Sequence, residues 1–213
     1  MRLILASTSP RRREILALLG LPFEVIAPRF QETIARHRSI EKEVLEFARE
    51  KARSVATDHR QGIVIGSDTM IALGGKKFGK PANREDARRM LRAFSGKLHR
   101  IYTSVAILDG AGGPGLNIVE EVSVVMRAFT DKEIAQYLAC GESLDKAGAY
   151  SIQGEGSRLI EAIRGDYLAA VGMPLRPIAR YLRERGIAFP LDVDRFYAQK
   201  SFLNWRNFDP AHG

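Results

Sequence analysis

Several things are scarce in this 213-residue chain, which has one cysteine, one tryptophan and four histidines. A single cysteine, Cys140, excludes an intramolecular disulfide and any cysteine-based metal cluster. His37, His59, His99 and His212 are scattered, with no HExxH or other metal-ligand spacing. No apolar run approaches the ~20 residues that a membrane-spanning helix needs. Arg11-Arg12-Arg13 interrupts the first apolar stretch too soon for a signal peptide, so the expected location is the cytoplasm, with no membrane partner. There is no GxxxxGK[ST], no GxGxxG and no GxSxG, which removes the P-loop, the dinucleotide fingerprint and the nucleophile elbow. Internal repeats are also absent.

What is present is an ordinary globular composition, 45% hydrophobic and 27% charged, carrying a formal charge of +8. A basic excess can serve nucleic acid, an anionic membrane or a small polyanion. The segment 190–213 is neutral, with three basic and three acidic residues, so the whole excess lies in the body. It is dispersed, without a basic arm or aromatics interleaved with cations on strands. No stable nucleic-acid binding is expected.

Short apolar runs alternate with helical periodicities, which predicts an α/β fold. Leu3–Ala6, Phe23–Ile26 and Ile63–Gly66 read as strands, the last ending at Ser67-Asp68-Thr69. Ser9-Pro10 opens a helix running to Gly20, and Ser39 caps another from Ile40 to about Ala56. Asn83 caps a helix through Phe94, and Thr130 to Glu133 matches a capping box. Ile101–Leu108 and Ile118–Ala128 read as a hairpin, strand-like pieces flank Gly165-Asp166, and a last helix runs from Pro174 to Arg185. The aromatic tail with Phe196, Tyr197, Phe202, Trp205 and Phe208 is expected to dock rather than to stay unstructured.

Three positions carry chemistry. Ser7 to Arg13 lies between a strand and a helix N-terminus, a ready anion site. Arginines there oppose the helix dipole, which makes sense with an anion between them; a solvated basic face is the equal alternative. Asp68, at a strand end, either holds a divalent cation or orients water, or simply makes an Asx-turn. Lys51 falls on the apolar stripe of its helix, where snorkelling to the rim is the simpler expectation and pointing into an anion-binding cleft the other. Glu32 and Lys80 are weaker candidates, and Gln153 either reads a base edge or caps a turn. Cys140 has no activating base nearby in sequence and reads as inert packing.

The motifs Leu5-Ala6-Ser7-Thr8-Ser9-Pro10-Arg11-Arg12, Gly66-Ser67-Asp68-Thr69, Gly79-Lys80-Pro81, Ser95-Gly96 with His99, Tyr102-Thr103, Asp145-Lys146-Ala147-Gly148-Ala149-Tyr150, Ile152-Gln153-Gly154 and Val171-Gly172-Met173-Pro174 resemble the Maf family. These are nucleoside triphosphate pyrophosphatases once named as septum-formation inhibitors. The resemblance covers roughly residues 2 to 189, implying one domain over 1–189 and an aromatic extension over 190–213. It implies a mixed twisted sheet with flanking helices and two lobes around a nucleotide cleft, like the inosine triphosphate pyrophosphatases, usually as a homodimer.

By the same resemblance, Asp68 would accept a proton from the attacking water or hold a metal, with Glu32 assisting a divalent cation such as Mg²⁺ or Mn²⁺. Ser7, Arg12, Lys51 and Lys80 would hold the phosphates. Arg11, Thr69 and Gln153 occupy the positions that separate the subgroups and match the dTTP/UTP pattern, not the Trp, Gln and Glu of the 7-methyl-GTP subgroup. Gln31 stands where members commonly carry an acidic residue. A nucleotide-binding regulator of cell division is the alternative function that this family implies.

Overall fold

The computed structural model describes residues 2–33, 38–110, 112–113, 115–205 and 208, so His37 and His212 lie outside it. In chain order the elements are β1 (Arg2–Ala6), α1 (Pro10–Ala17), β2 (Glu24–Ile26), α2 (Ile40–Ala56), β3 (Gly62–Leu73), β4 (Lys76–Phe78), α3 (Arg84–Phe94) and β5 (Leu98–Asp109). There follow β6 (Leu116–Met126), α4 (Asp131–Ala139), β7 (Ile160–Arg164), α5 (Tyr167–Val171), α6 (Leu175–Glu184) and α7 (Val193–Gln199). The chain is α/β, with a mixed seven-stranded sheet ordered β2-β1-β3-β5-β6-β7 and β4 paired to β3. Among the described residues, no helix is long and apolar enough to cross a membrane.

Two compact units divide the chain. The first comprises Met1–Thr69, Thr103–Glu120 and Gly172–Gln199. Here β1 runs parallel to both β2 and β3, with Ala6 opposite Ile26 on one side and Gly66 on the other. Parallel neighbours require crossover connections, and α1 and α2 supply them. In α2, Val44, Phe47, Ala48, Ala52 and Val55 recur at helical spacing and are buried. Ala52 and Val55 pack with Ile4, Ala6 and Val64. Each large aliphatic side chain buried this way contributes roughly 1.5–3 kcal/mol. Gly66 is the point of closest approach: a Cβ there would lie 2.2 Å from the Ala48 carbonyl oxygen. Only glycine lets the backbones of α2 and β3 meet, which brings the Lys51 turn over the next residues of β3.

The second unit comprises Met70–Tyr102, Glu121–Val171 and Lys200–Gly213. Gly74-Gly75 turns β3 into antiparallel β4, with Ile71 opposite Phe78, and β6 pairs antiparallel with β7. Asn83 caps α3 by accepting from the Asp86 amide at 2.9 Å, and Thr130 and Glu133 form the expected capping box on α4. The interior is aromatic: Phe94 packs on Phe78 with centroids 4.8 Å apart and on His99 at 4.6 Å.

Four expectations need correction. β3 does not end before Ser67 but continues through Asp68 to Leu73, because the chain is drawn on into the β3–β4 hairpin. The piece after Gly165-Asp166 is helix α5: the Asp166 carboxylate accepts from the Leu168 and Ala169 amides at 2.8 and 3.1 Å and so starts a helix. Another helix, α7, follows α6. Cys140 is exposed rather than packed, at the C-cap of α4.

Candidate active site

The chemistry-bearing residues of the first unit gather where β1 ends, α1 begins and β3 passes Gly66. Ser7 follows β1 and is 3% exposed; its Oγ accepts from the Ser9 amide at 3.1 Å. Ser9 makes no side-chain cap on α1, and Pro10 fills the first helical position, so the α1 N-terminus is shaped by Ser7 rather than by Ser9. The parallel register Ala6 to Gly66 brings this turn alongside the Ser67-Asp68-Thr69 segment.

Lys51 does not snorkel. It is 7% exposed, and its Nζ donates to the Asp68 carboxylate and, at 2.5 Å, to Glu32 Oε1. The apolar stripe of α2 therefore carries its ammonium inward, because two carboxylates wait there to offset the desolvation cost. Asp68 is itself 4% exposed. Burial pushes its carboxyl above the usual carboxylate range, opposed by the charges of Lys51 and Arg12 and reinforced by that of Glu32. Such a group holds a proton more readily than a surface aspartate, as a base for water needs to.

Arg12 is anchored edge-on. Its Nε donates to the Gly172 carbonyl at 2.9 Å and its Nη2 to Thr69 Oγ1 at 3.1 Å. Desolvation pulls its guanidinium below the usual value, with Asp68 and Glu32 acting the other way. Thr69 Oγ1 lies 3.1 Å from Thr103 Oγ1, and Ser67 Oγ donates to the same Gly172 carbonyl at 3.1 Å. Gly172 adopts φ +140°, a backbone that L side chains rarely take, and thereby offers its carbonyl to both donors. Arg12 thus joins Thr69 to the backbone of Gly172. Arg11, next to it on α1, is half-buried.

Ser7, Arg11, Arg12, Glu32, Lys51, Asp68 and Thr69 are therefore in one unit. Lys80 and Gln153 are in the other. Lys80 is exposed, in a turn pinned by the Gly148 amide donating to the Gly79 carbonyl at 3.0 Å. Gln153 is half-buried; its Nε2 is shielded from solvent and has no hydrogen-bond partner among the described residues.

A family model described as Maf-like protein matches residues 2–185. The chain belongs to the Maf-like family. A dTTP/UTP pyrophosphatase of Bacillus anthracis is 41% identical over 192 residues, spanning 90% of this chain and 97% of that protein. A Bacillus cereus protein of the same name matches equally, at 41% over 192 residues with 90% and 97% covered. The one from Bacillus mycoides is 40% identical over 183 residues, 86% of this chain and 95% of its own.

The donor set of this Maf-like chain suits a hard divalent cation. Asp68 and Glu32 direct oxygens to one point, at present bridged by Lys51 Nζ. No group of three or more His, Cys, Asp or Glu able to hold a metal exists among the described residues. Two carboxylates, with water and phosphate oxygens completing the shell, is the usual way of holding Mg²⁺. No role for Thr103, Ser67 or Gly172 is legible in the sequence alone. Two adjacent hydroxyls, Thr103 and Ser104, inside the apolar strand Ile101–Ile107 were the available signal, since fully buried hydroxyls need partners. Ser104 Oγ finds its partner in the Val44 carbonyl at 2.6 Å.

Proposed function

We propose that this protein hydrolyses dTTP and UTP, and modified pyrimidine nucleotides of the same shape, to the nucleoside monophosphate and pyrophosphate. The observation that carries the reading is the buried Lys51 bridging Asp68 and Glu32 beside the anchored Arg12. The names of the relatives support the substrate.

In this mechanism Asp68 takes the proton of a water that attacks the α-phosphorus, its affinity for that proton raised by burial. Lys51, Arg12 and Ser7 hold the phosphate oxygens and neutralise the charge that builds on the pyrophosphate leaving group, and the family resemblance assigns Lys80 the same task. Glu32 and Asp68 would hold a Mg²⁺ or Mn²⁺ ion, which when bound supplies further charge neutralisation on those oxygens. The family resemblance assigns base recognition to Arg11, Thr69 and Gln153; the unpartnered Nε2 of Gln153 supports an acceptor such as a pyrimidine carbonyl on that residue. A homodimer in the cytoplasm is part of the same reading, supported by the family resemblance and the lone cysteine.

The test incubates the protein with each nucleoside triphosphate and Mg²⁺ or Mn²⁺ and resolves the products. Pyrophosphate released from dTTP and UTP, and lost in Asp68→Asn, is the expected result. Release of orthophosphate, or nucleotide bound without turnover, overturns the reading; the latter outcome would favour a nucleotide-binding regulator.

A further inference from the structure

The tail beyond the family match carries contacts that bear on base recognition. Tyr167, at the start of α5, is 2% exposed, and its hydroxyl donates to the Leu203 carbonyl at 2.6 Å. Trp205 stacks on the Tyr167 ring, with centroids 5.4 Å apart and planes 11° from parallel, and Phe208 stacks at 6.0 Å. Both tail rings are 4% exposed, so Trp205 and Phe208 are packed. Between Leu203 and Trp205, the Asn204 side-chain amide donates to the backbone carbonyl of Gln153.

Two features make that contact more than incidental packing. Asn204 adopts φ +60°, a left-handed backbone that asparagine tolerates far better than most L-residues. The residue type therefore serves both the turn and the hydrogen bond. Gln153, whose backbone Asn204 grips, keeps its own Nε2 buried and unpartnered among the described residues. A side chain that must present an unsatisfied donor to a ligand needs its backbone fixed by something else.

We propose that residues 200–205 form a strap that fixes Gln153 for base recognition, with Asn204 as the positioning residue and the Tyr167–Trp205 stack as its anchor. This rests on the reading of Gln153 as a base-contacting group. Because Asn204 touches the Gln153 main chain and not the substrate, its loss should act on discrimination among nucleotides and leave proton transfer alone.

The experiment compares Asn204→Gly, which keeps the positive φ and deletes the amide, with Gln153→Ala and the double variant. Steady-state constants are measured for UTP and GTP. Trp205, the sole tryptophan, reports on the strap by its fluorescence as α,β-imido-UTP is added. Asn204→Gly should lower the UTP-to-GTP ratio of kcat/KM roughly fivefold through KM, the size of one net hydrogen bond. The double variant should lower it no further than Gln153→Ala alone, and the analogue-induced change in Trp205 emission should disappear in Asn204→Gly.

A changed ratio in Gln153→Ala with an unchanged one in Asn204→Gly would overturn the strap and leave the base-reading role standing. No change in either variant overturns both. A loss of kcat common to all nucleotides, or additive effects in the double variant, overturns the strap as well, because Asn204 would then act elsewhere than through Gln153.

Discussion

The two units bury polar groups in opposite ways. In the first, Asp68 and Lys51 are charged groups taken out of water together, each 7% exposed or less, with Arg12 and Glu32 at hand. In the second, His99 is 1% exposed and meets no countercharge among the described residues: its Nε2 is 2.7 Å from the Tyr150 hydroxyl, and its ring lies against Phe94. Desolvation dominates at both sites, raising the Asp68 carboxyl and lowering His99 to about 4. Only at Asp68 is it opposed by fixed cations. A buried charge that keeps partners remains available for proton transfer, whereas a buried base without them is neutral packing material.

The largest expected effect tests the charged side of this contrast. Asp68→Asn keeps the shape and removes the proposed base, so pyrophosphate release from UTP should fall about a thousandfold or more, as general-base removal does. Far-UV circular dichroism should be unchanged, since Lys51 retains Glu32. Activity surviving in Asp68→Asn would make the ion cluster structural, no different in kind from the His99 site. Next comes Lys51→Met, which leaves the Asp68 carboxylate buried without its nearest cation. Stability by urea denaturation should drop about 3–5 kcal/mol, and adding Asp68→Asn to it should restore part of the loss. No restoration would mean that the lysine stem, not its charge, holds α2 on β3.

The neutral site yields a pH dependence. His99 binds its proton at about 4 when folded, against 6.5 as its ordinary value. Between those values the unfolded chain holds more protons, so stability rises with pH. The contribution is fully present above 6.5 and is lost as pH falls toward 4, a change of about 3 kcal/mol. Relative to His99→Gln, wild type should lose about 3 kcal/mol of stability by urea denaturation as pH falls from 7 to 4, whatever their offset at pH 7. Parallel curves across that window would show that His99 has a charge partner after all.

The contrast also accounts for what the sequence shows of the molecule. Helix α2 was legible to its ends, because its apolar period and the Ser39 cap are local signals. So was the capping box of α4. The passage of β3 through Asp68 was not, since its continuation depends on pairing with Lys76–Phe78 and on Gly66 meeting Ala48, both set by tertiary contact. Asp68, Glu32 and Lys51 were visible as residue types, and a family resemblance assigned them, yet helical spacing alone sent Lys51 to the surface. Spacing cannot show a countercharge that arrives from 17 and 19 residues away. The Thr69–Thr103 pair and the Asn204 clasp were illegible for the same reason, each joining distant segments.

The smallest effect sharpens the comparison at its edge, where Glu32 is half-exposed, unlike Asp68 and Lys51. Its loop is held to α2 on both sides of Lys51. The Arg29 amide donates to Ser54 Oγ at 3.1 Å, and its guanidinium donates to the Ser54 carbonyl and the Asp58 carboxylate at 3.0 and 2.6 Å. Phe30 meets Phe47 edge-on at 5.4 Å. The ion pair is exposed, so Arg29→Ala should cost less than about 1 kcal/mol of stability. Glu32 would nonetheless lose part of the scaffold that aims it. Mn²⁺ binding to the nucleotide-free protein, followed by electron paramagnetic resonance, should weaken by a factor of a few, and the metal requirement of turnover should shift with it while saturated turnover holds. Unchanged Mn²⁺ affinity would mean that Lys51 alone positions Glu32; a loss of saturated turnover would mean that the loop serves the chemistry of Asp68 directly.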